Sequence, residues 1–393
     1  MAKRLAVCIL HPIQYHAPLY GYLAQDRRFC LKVFYMSDRG ARPYYEPLSK
    51  TIVKYDNPIL EGYDYVFLTT GEQTSWWGRT TEFMNFRLGE ELLRFAPDAV
   101  YFHGYNNPSF LWAMRRCRRR QIRIVLRGEN EDVLPRPWGH TLAREALLKI
   151  LLPSLDGILY IGTKNREFFL KRGVPAHKLF FVPYAVDNTY FRAGCTPEEL
   201  TRIRRKIFDR YALRNATRLF IYTHKLRATM RPLDAVRAFA NAVVAQSIPA
   251  ALLMCGDGEL RAEAESLAKR SGAVQIVFPG YLTQADLREH MLAADVMINP
   301  AQEPWGCSIN EGLACGLAMI SSDMVVGWPD MVIPGVNGYV YHYGDAVALS
   351  RWIATLGRLP QDELERMKQE SLRVSRILSF ATCADGLAAA MGA

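Results

Sequence analysis

Short apolar runs alternate with longer amphipathic stretches along the whole chain. The short runs are typical of strands buried on both faces, and the longer stretches have the 3.6-residue period of helices that cover a sheet. This alternation predicts α/β structure with parallel sheets. The predicted strands are Leu5–Leu10, Leu31–Tyr35, Val66–Leu68, Ala99–His103, Ile122–Leu126, Gly157–Ile161, Leu179–Val182, Arg218–Thr223, Ala251–Cys255, Val274–Phe278, Val296–Asn299, Ala318–Ser321 and Gly338–Tyr341.

The predicted strands form two groups. Residues 184–200 separate them, because this stretch combines polar and turn-forming residues without a sustained period. The chain has 393 residues, about twice the usual single-domain size of roughly 100 to 200 residues. We therefore predict two doubly wound domains, over residues 1–190 and 191–379, followed by a last helix within residues 380–393.

The formal charge of +10 is concentrated in the first half of the chain. Residues 1–190 carry a net charge of +9, and the remainder carries +1. The densest cluster consists of Arg115, Arg116, Arg118, Arg119, Arg120 and Arg123. Such a cluster suits an anionic partner, whether nucleic acid, an acidic membrane surface or a phosphorylated substrate. A solvated helix end that leads into strand 122–126 is the alternative interpretation.

The cysteines and the apolar runs indicate a cellular compartment. The eight cysteines include no CxxC pair, so neither a disulfide framework nor a zinc site is expected. No run reaches the roughly 18 apolar residues that span a bilayer, and the N-terminal apolar run is too short for a secretion signal. We expect a cytoplasmic protein, with peripheral contact at the inner face of the membrane if the arginine cluster meets anionic lipid.

Several common enzyme motifs are missing from the sequence. The first predicted strand leads into HPIQYHAPL rather than GxGxxG, which argues against a dinucleotide-dependent oxidoreductase. The chain also lacks a GxxxxGK[ST] phosphate loop and an HExxH zinc helix, and its His, Asp and Glu residues are not spaced as metal ligands. We therefore expect no metal and no cofactor.

The strongest chemical signal is a pair of carboxylates eight positions apart. Glu303 follows strand 296–299, and Glu311 lies in the first turn of a helix expected to begin near Ser308. In open parallel sheets, ligands bind beyond the carboxyl ends of the strands, so both carboxylates are expected on the ligand side. For Glu311 an alternative remains open, because Ser308-Ile-Asn-Glu311 also fits a capping box.

Residues 295–340 resemble the donor-binding motif of family-four retaining glycosyltransferases, also described as glycosyl transferases group 1. The resemblance covers most of residues 95–345 in the expected order. It includes SLDGILYIGTK, RGVP and FVPYAVD in the first half, and LMCGDGEL and VFPG in the second. It implies the GT-B fold, in which two doubly wound Rossmann-like domains face each other across a cleft.

The resemblance also implies how a UDP- or GDP-sugar is held by the second domain. Glu303 would bind hexose hydroxyls, and Glu311 would bind the ribose hydroxyls. The backbone amides of Cys307, Ser308 and Ile309 would meet the distal phosphate at a helix N-terminus. Gly256 and Gly258 fall in one of the family's glycine-containing turns.

The family places two cations after the first strand of the second domain, to stabilise the departing diphosphate. Lys225 occupies the first of these positions, but the second falls on Met230, which cannot bind phosphate. Arg231 or Arg227 is expected to supply the missing charge. Arg231 precedes Pro232, a residue favoured at the first position of a helix, so Arg231 is expected at a helix start.

The first domain is expected to bind a sugar-containing acceptor. His103 ends a predicted strand, and the resemblance places it beside the donor sugar as an orienting group. The loop after the first strand lacks the family's glycines, so it must act through side chains, namely Gln14, Tyr15 and His16. Arg127, Glu129 and Asn130 follow strand 122–126 and are candidates for reading acceptor hydroxyls. A helix start capped by Asn130 or Asp132 is the alternative for this stretch.

These features favour a retaining hexosyltransferase that acts on a glycan, lipid-linked or small-molecule acceptor. A sugar-nucleotide epimerase or a phosphorylase of the same fold is the second interpretation. A nucleic-acid-binding protein is the third, but the arginine cluster lacks interleaved aromatic residues, so no nucleic acid is expected. The resemblance further implies that the last helix, Phe380–Met391, crosses back to the first domain and forms part of a hinge.

Overall fold

The computed structural model describes residues 2–41, 44–46, 51–53, 58–70, 83–134, 141–272 and 275–392. The chain divides into two compact units. Unit 1 consists of Met1–Ala185 together with Phe380–Ala393, and unit 2 consists of Val186–Ser379.

Unit 1 contains a seven-stranded parallel sheet with the strand order β5-β2-β1-β6-β7-β8-β9. A short antiparallel hairpin, β3 and β4, stands apart from this sheet. The strands are β1 (Lys3–Ile9), β2 (Phe29–Tyr35), β3 (Tyr44–Glu46), β4 (Thr51–Val53), β5 (Asp64–Phe67), β6 (Ala99–His103), β7 (Arg123–Arg127), β8 (Gly157–Tyr160) and β9 (Leu179–Phe181). The helices are α1 (Ala17–Gln25), α2 (Leu88–Phe95), α3 (Pro108–Arg119), α4 (Thr141–Leu151), α5 (Thr163–Lys171) and, from the end of the chain, α15 (Phe380–Ala390).

The unit 1 sheet is buried on both faces, because successive side chains of a strand point to opposite sides. In β1, Leu5 and Val7 contribute to the core that includes residues of α1 and α15. Ala6 and Cys8 contribute to the opposite core, which includes residues of α2, α3 and α5. Strands with two buried faces have no polar side, which explains the continuous apolar runs in the sequence.

Helix α15 is part of the unit 1 core although it comes from the end of the chain. Its Cys383, Leu387 and Ala388 side chains are buried in the core that includes α1. Arg28 forms an ion pair with Asp385 at 2.7 Å. At Gly386 the helix lies so close to β9 that a Cβ atom would come within 2.0 Å of the Phe181 carbonyl oxygen.

Unit 2 contains a six-stranded parallel sheet with the strand order β12-β11-β10-β13-β14-β15. Its strands are β10 (Arg218–Tyr222), β11 (Ala250–Cys255), β12 (Gln275–Gly280), β13 (Val296–Asn299), β14 (Ala318–Ser322) and β15 (Gly338–Tyr341). Its helices are α6 (Asn188–Arg192), α7 (Pro197–Arg210), α8 (Pro232–Gln246), α9 (Arg261–Arg270), α10 (Gln284–Ala293), α11 (Cys307–Cys315), α12 (Trp328–Met331), α13 (Ala346–Arg358) and α14 (Gln361–Ile377).

The predicted fold class is confirmed. All thirteen predicted strands form, with bounds that differ by at most a few residues, and residue 274 of one of them lies outside the described residues. Strands β3 and β4 were not predicted. Within the described part of the chain, no helix combines the length and the apolar character needed to cross a membrane.

In each sheet the chain order of the strands reverses at one position, which is called a switch point. In unit 1 the chain order reverses between β1 and its neighbour β6, and in unit 2 it reverses between β10 and its neighbour β13. At such a switch point the loops beyond the carboxyl ends of the two strands diverge and leave room for a ligand. The candidate site residues therefore have to be sought directly after these four strands.

Candidate functional site

A cluster of polar side chains lies at the switch point of unit 2. His224 follows β10, Asn299 ends β13, Glu303 follows it, and Ser308 lies in the first turn of α11. The Asn299 amide donates to Glu303 Oε1 at 3.0 Å and lies 3.3 Å from Ser308 Oγ. Ser308 Oγ is in turn 3.4 Å from His224 Nε2. These four residues, which we name the unit 2 polar cluster, hold one another in place.

The position of Glu303 is fixed through its backbone. Its N–H donates to the Met324 carbonyl at 3.1 Å, and its carbonyl accepts from the Val326 N–H at 3.0 Å. The side chain is therefore available to present a carboxylate at the carboxyl end of β13. A carboxylate accepts hydrogen bonds from hydroxyl groups, which is the chemistry that sugar recognition requires.

Helix α11 rules out the capping-box interpretation of Glu311. The helix begins at Cys307, and Gly306, with φ at 112°, occupies the N-cap without a side-chain cap hydrogen bond. Ser308 therefore lies inside the first turn and cannot cap the helix. The Ile309 N–H already donates to the Gly306 carbonyl at 2.9 Å, so this amide is engaged within the turn.

Glu311 is a buried carboxyl group in α11, with 7% of its surface exposed. Burial, with a smaller effect from the negative charge of Glu303, raises its pKa to about 7. Because Glu311 does not cap the helix, capping does not explain why a carboxyl group is buried here. Binding of a ligand is the explanation that we test below.

We expect the raised pKa of Glu311 to make the stability of unit 2 depend on pH. The folded carboxyl loses its proton only near pH 7, whereas the unfolded one loses it near 4.5. The unfolded chain therefore binds fewer protons between these values, and stability should fall as pH rises through them, by at most about 3 kcal/mol. Glu311→Gln should abolish this loss, so that the variant's melting temperature exceeds that of the wild type at pH 8 more than at pH 5. Thermal unfolding at several pH values checks this, and a pH-independent difference would contradict it.

The loop after β10 carries the candidate cations. Lys225 is exposed, whereas Met230 is buried and contributes no charge. Arg231 is the N-cap residue of α8, as expected, but its guanidinium pairs with Asp234 and lies 4.8 Å from the centre of the Tyr343 ring. Asp234 thus partly neutralises the charge of Arg231. The Arg227 Nε atom is buried, and none of the described residues accepts a hydrogen bond from it.

Gly256 and Gly258 allow the loops after β10 and β11 to pack against each other. A Cβ atom at Gly256 would come within 2.1 Å of the His224 carbonyl oxygen, and one at Gly258 within 2.6 Å of the Leu226 carbonyl oxygen. Both residues also have positive φ angles, 143° and 157°. Their observed role is therefore to position the backbone of residues 224–226, while direct binding of a donor remains a prediction.

A second cluster lies at the switch point of unit 1. The His16 ring is buried at the start of α1, 4.6 Å from the His103 ring at the end of β6 and 5.5 Å from the Tyr184 ring. The Tyr20 hydroxyl is 2.9 Å from His103 Nε2. Gln14 and Tyr15 are half-buried in the loop that leads to His16.

Both histidines of this cluster are neutral. Burial, the Arg127 charge and His11 lower the pKa of His16 to about 3. Burial, His16 and Arg127 likewise hold the pKa of His103 well below its usual value. A neutral imidazole can donate one hydrogen bond and accept another, which fits the orienting role expected for His103.

Arg127 completes this group, which we name the unit 1 polar cluster (His16, His103, Arg127 and Tyr184). Its side chain is 2% exposed, and the guanidinium lies 4.2 Å from the centre of the Tyr184 ring. Nη1 is 3.4 Å from the Tyr101 hydroxyl, while Nε and Nη2 have no hydrogen-bond partner among the described residues.

The residues after Arg127 do not form the helix start that was the alternative prediction. Residues 128–134 are not helical. The Asn130 amide donates to the Tyr105 hydroxyl at 3.1 Å, and Asp132 pairs with Arg172 at 2.8 Å, so neither residue caps a helix. The Glu129 carboxylate accepts a hydrogen bond from the Tyr184 hydroxyl, which ties this residue to the unit 1 polar cluster.

Sequence reasoning missed three members of these clusters, His224, Asn299 and Tyr184, and also Tyr20, which contacts His103. His224 and Asn299 stand at the carboxyl ends of strands on either side of a switch point, and this position was a usable signal. Tyr20 and Tyr184 gave no local signal, because they reach the cluster only through the packing of α1 and of the segment after β9.

Comparisons with known proteins agree with this description. Residues 203–373 match the family model described as glycosyl transferases group 1, which covers most of unit 2. No curated protein sequence matches the chain. Residues 203–373 thus match the model of the family that the sequence resembles.

Solved structures share the fold over nearly the whole chain. A glycosyltransferase from Rickettsia africae is 12% identical with a TM-score of 0.72, and the match covers 98% of this chain and 96% of that one. Anabaena HepE, solved in complex with UDP and glucose, is 15% identical with a TM-score of 0.66 and 98% coverage of each chain. Sucrose-phosphate synthase from Thermosynechococcus elongatus is 16% identical with a TM-score of 0.67, covering 98% of this chain and 97% of that one. These likenesses confirm the GT-B fold.

Proposed function

We propose, from the match of residues 203–373 to the glycosyl transferases group 1 model, that this chain is a retaining hexosyltransferase. The donor would be a UDP- or GDP-sugar, and the acceptor a sugar-containing glycan, lipid-linked or small molecule. The observation that carries this proposal is the pair Glu303 and Glu311, one fixed by the unit 2 polar cluster and the other buried without a capping role. Binding of UDP by the structural neighbour HepE supports a nucleotide-sugar donor.

In this proposal unit 2 holds the donor. Glu303 accepts hydrogen bonds from hexose hydroxyls, and Glu311 accepts them from the ribose. The amides of Cys307 and Ser308 meet the distal phosphate at the N-terminus of α11, where the helix dipole favours negative charge. Lys225 and Arg231 face the diphosphate. Arg227 is the alternative to Arg231, because Arg231 already pairs with Asp234, whereas no described residue accepts a hydrogen bond from Arg227 Nε.

Unit 1 holds the acceptor in this proposal. The residues proposed to bind the acceptor are Gln14, Tyr15 and His16 after β1 and Arg127, Glu129 and Asn130 at and after the end of β7. His103 orients a reacting hydroxyl through its neutral ring rather than removing a proton, because its lowered pKa makes it a weak base.

The transfer itself needs stabilisation of the leaving group more than a protein nucleophile. The acceptor oxygen bonds to the anomeric carbon on the face from which the diphosphate leaves. The bond between that carbon and the diphosphate oxygen breaks, and the acceptor proton passes to the diphosphate. Cations and helix amides aimed at the growing negative charge lower the barrier, because they interact more strongly with the transition state than with the donor.

A panel of UDP-, GDP- and ADP-sugars tests this function. We expect one donor to raise the melting temperature of the chain and to be hydrolysed slowly without an acceptor. Isomerisation of the sugar without release of nucleotide would instead identify an epimerase, and failure of all donors would contradict a transferase. Repeating the assay with EDTA checks the separate prediction that no metal is needed, and the anomeric configuration of the product checks retention.

A further inference from the structure

A surface of unit 1 that includes no residue of the unit 1 polar cluster combines exposed apolar side chains with arginines. Leu111 and Trp112 of α3 are exposed, as are Leu147 and Ile150 of α4, and Ile150 keeps 74% of its surface in contact with solvent. Single exposed apolar residues are ordinary, but several on two neighbouring helices indicate a surface that another molecule covers.

A groove of about 490 Å³ lies on this surface. Its apolar lining consists of Leu111, Met114, Leu151 and Leu155. Its remaining lining consists of arginines of α3, namely Arg115, Arg118 and Arg119. We name the groove and the exposed residues beside it the α3–α4 surface.

The positive charge of the α3–α4 surface is largely uncompensated. Among the described residues, no acidic side chain pairs with Arg115 or Arg119. Arg118 donates to the Ser154 carbonyl at 2.8 Å, a neutral group that fixes its side chain without removing its charge. The one acid of α4, Glu145, is engaged by Arg172 at 2.9 Å.

An aromatic pair stands beside the arginines. The rings of Phe86 and Trp112 meet edge to face at 6.5 Å, and both residues are exposed. Aromatic side chains of this kind are enriched where a protein meets the headgroup region of a membrane. Helical surfaces with cationic and apolar residues side by side bind anionic bilayers through both contributions.

We propose that the α3–α4 surface docks on an anionic phospholipid bilayer. The arginines contact lipid phosphates, and the apolar lining of the groove, together with Leu147 and Ile150, contacts the upper part of the acyl chains. A nucleic acid would use the arginines but would leave these aliphatic side chains in water. The proposal does not rest on the proposed function, since none of these residues belongs to either polar cluster.

Vesicle flotation with the full chain tests this proposal. We expect binding to vesicles of phosphatidylglycerol and phosphatidylcholine in a 3:7 ratio and none to pure phosphatidylcholine. Binding should weaken steeply between 50 and 500 mM NaCl, because salt screens the charges. The double variant Arg115→Gln, Arg119→Gln should bind about 25-fold more weakly, at about fivefold for each arginine near the surface. The matched control is Arg214→Gln, which removes an exposed arginine of unit 2.

The apolar contribution has its own pair of variants. Leu147→Ser with Ile150→Ser should reduce binding to the anionic vesicles even at low salt, whereas Val347→Ser, at an exposed apolar residue of α13, should not. Unchanged melting temperatures, expected for exposed residues, exclude unfolding as the cause.

Three results would overturn the proposal: vesicle binding unaffected by both sets of variants, tight binding to single-stranded oligonucleotides without vesicle binding, or a dimer in solution that Ile150→Ser dissociates. If the arginine and apolar variants lose vesicle binding but keep the nucleotide-sugar turnover of the wild type, docking is confirmed independently of the transfer reaction.

Discussion

Glu303→Gln should reduce turnover by roughly 30-fold to 1,000-fold, which corresponds to about 2 to 4 kcal/mol of transition-state stabilisation. The substitution keeps the shape of the side chain but replaces a charged acceptor with a neutral amide, so hydrogen bonds to sugar hydroxyls weaken. The amide also faces the Asn299 Nδ2 group, which donates to Glu303 in the wild type. Steady-state kinetics with the donor found in the nucleotide-sugar panel measures the effect.

The fold should be nearly unaffected by this change. Two backbone hydrogen bonds hold residue 303 in place, and neither involves its side chain. Melting temperatures of wild type and variant are therefore expected to agree closely, and Glu363→Gln, at an exposed carboxylate of α14, is the matched control for kinetics. Wild-type turnover in the Glu303 variant would remove this residue from the site.

Deletion of residues 380–393 should destabilise unit 1 by more than about 5 kcal/mol, since truncating a single buried leucine such as Leu387 costs about 2 to 5 kcal/mol. The deletion also removes the Ala390 and Met391 carbonyls that accept hydrogen bonds from Arg123 and Lys3. Calorimetry should show the unfolding transition of unit 1 lost or moved to low temperature, while the transition of unit 2 persists.

The sequence predicts that the last helix forms part of a hinge, but deleting the buried α15 would also disrupt the unit 1 core. Inserting two glycines between Ser379 and Phe380 leaves α15 intact and lengthens only the connection. We expect this variant to keep the unit 1 transition, so that a change in turnover or in small-angle scattering tests the predicted hinge. A truncated chain with both transitions unchanged would contradict the role of α15 in the core.

The sequence was sufficient to predict the sheets because their strands are buried on both faces and form unbroken apolar runs, as in β10 and β13. Strands β3 and β4 escaped prediction because a three-residue strand is too short to show a period. A capping box remained an alternative for Glu311 because Ser308 imitates the helix start that Gly306, with its positive φ, provides.

Site residues could be predicted from the sequence only where they lie at or just beyond the carboxyl end of a predicted strand. Glu303 and His103 each lie at or just beyond the end of a predicted strand, so the topology of parallel sheets indicated them. The contact between His16 and His103 joins residues far apart in sequence, and the orientation of Glu303 depends on a hydrogen bond from Asn299 at the end of β13. Such arrangements depend on three-dimensional packing, which no local pattern encodes.

The place of α15 in unit 1 has a consequence for the order in which the protein folds during synthesis. Unit 2 is continuous in sequence, so it can fold as soon as it leaves the ribosome. Unit 1 must wait for α15 until all of residues 186–379 have been translated, which takes about 10 to 40 seconds at the usual rate of about 5 to 20 residues per second. Throughout that interval the apolar surface that later receives Cys383 and Leu387 is uncovered, and it is then that a chaperone would be needed.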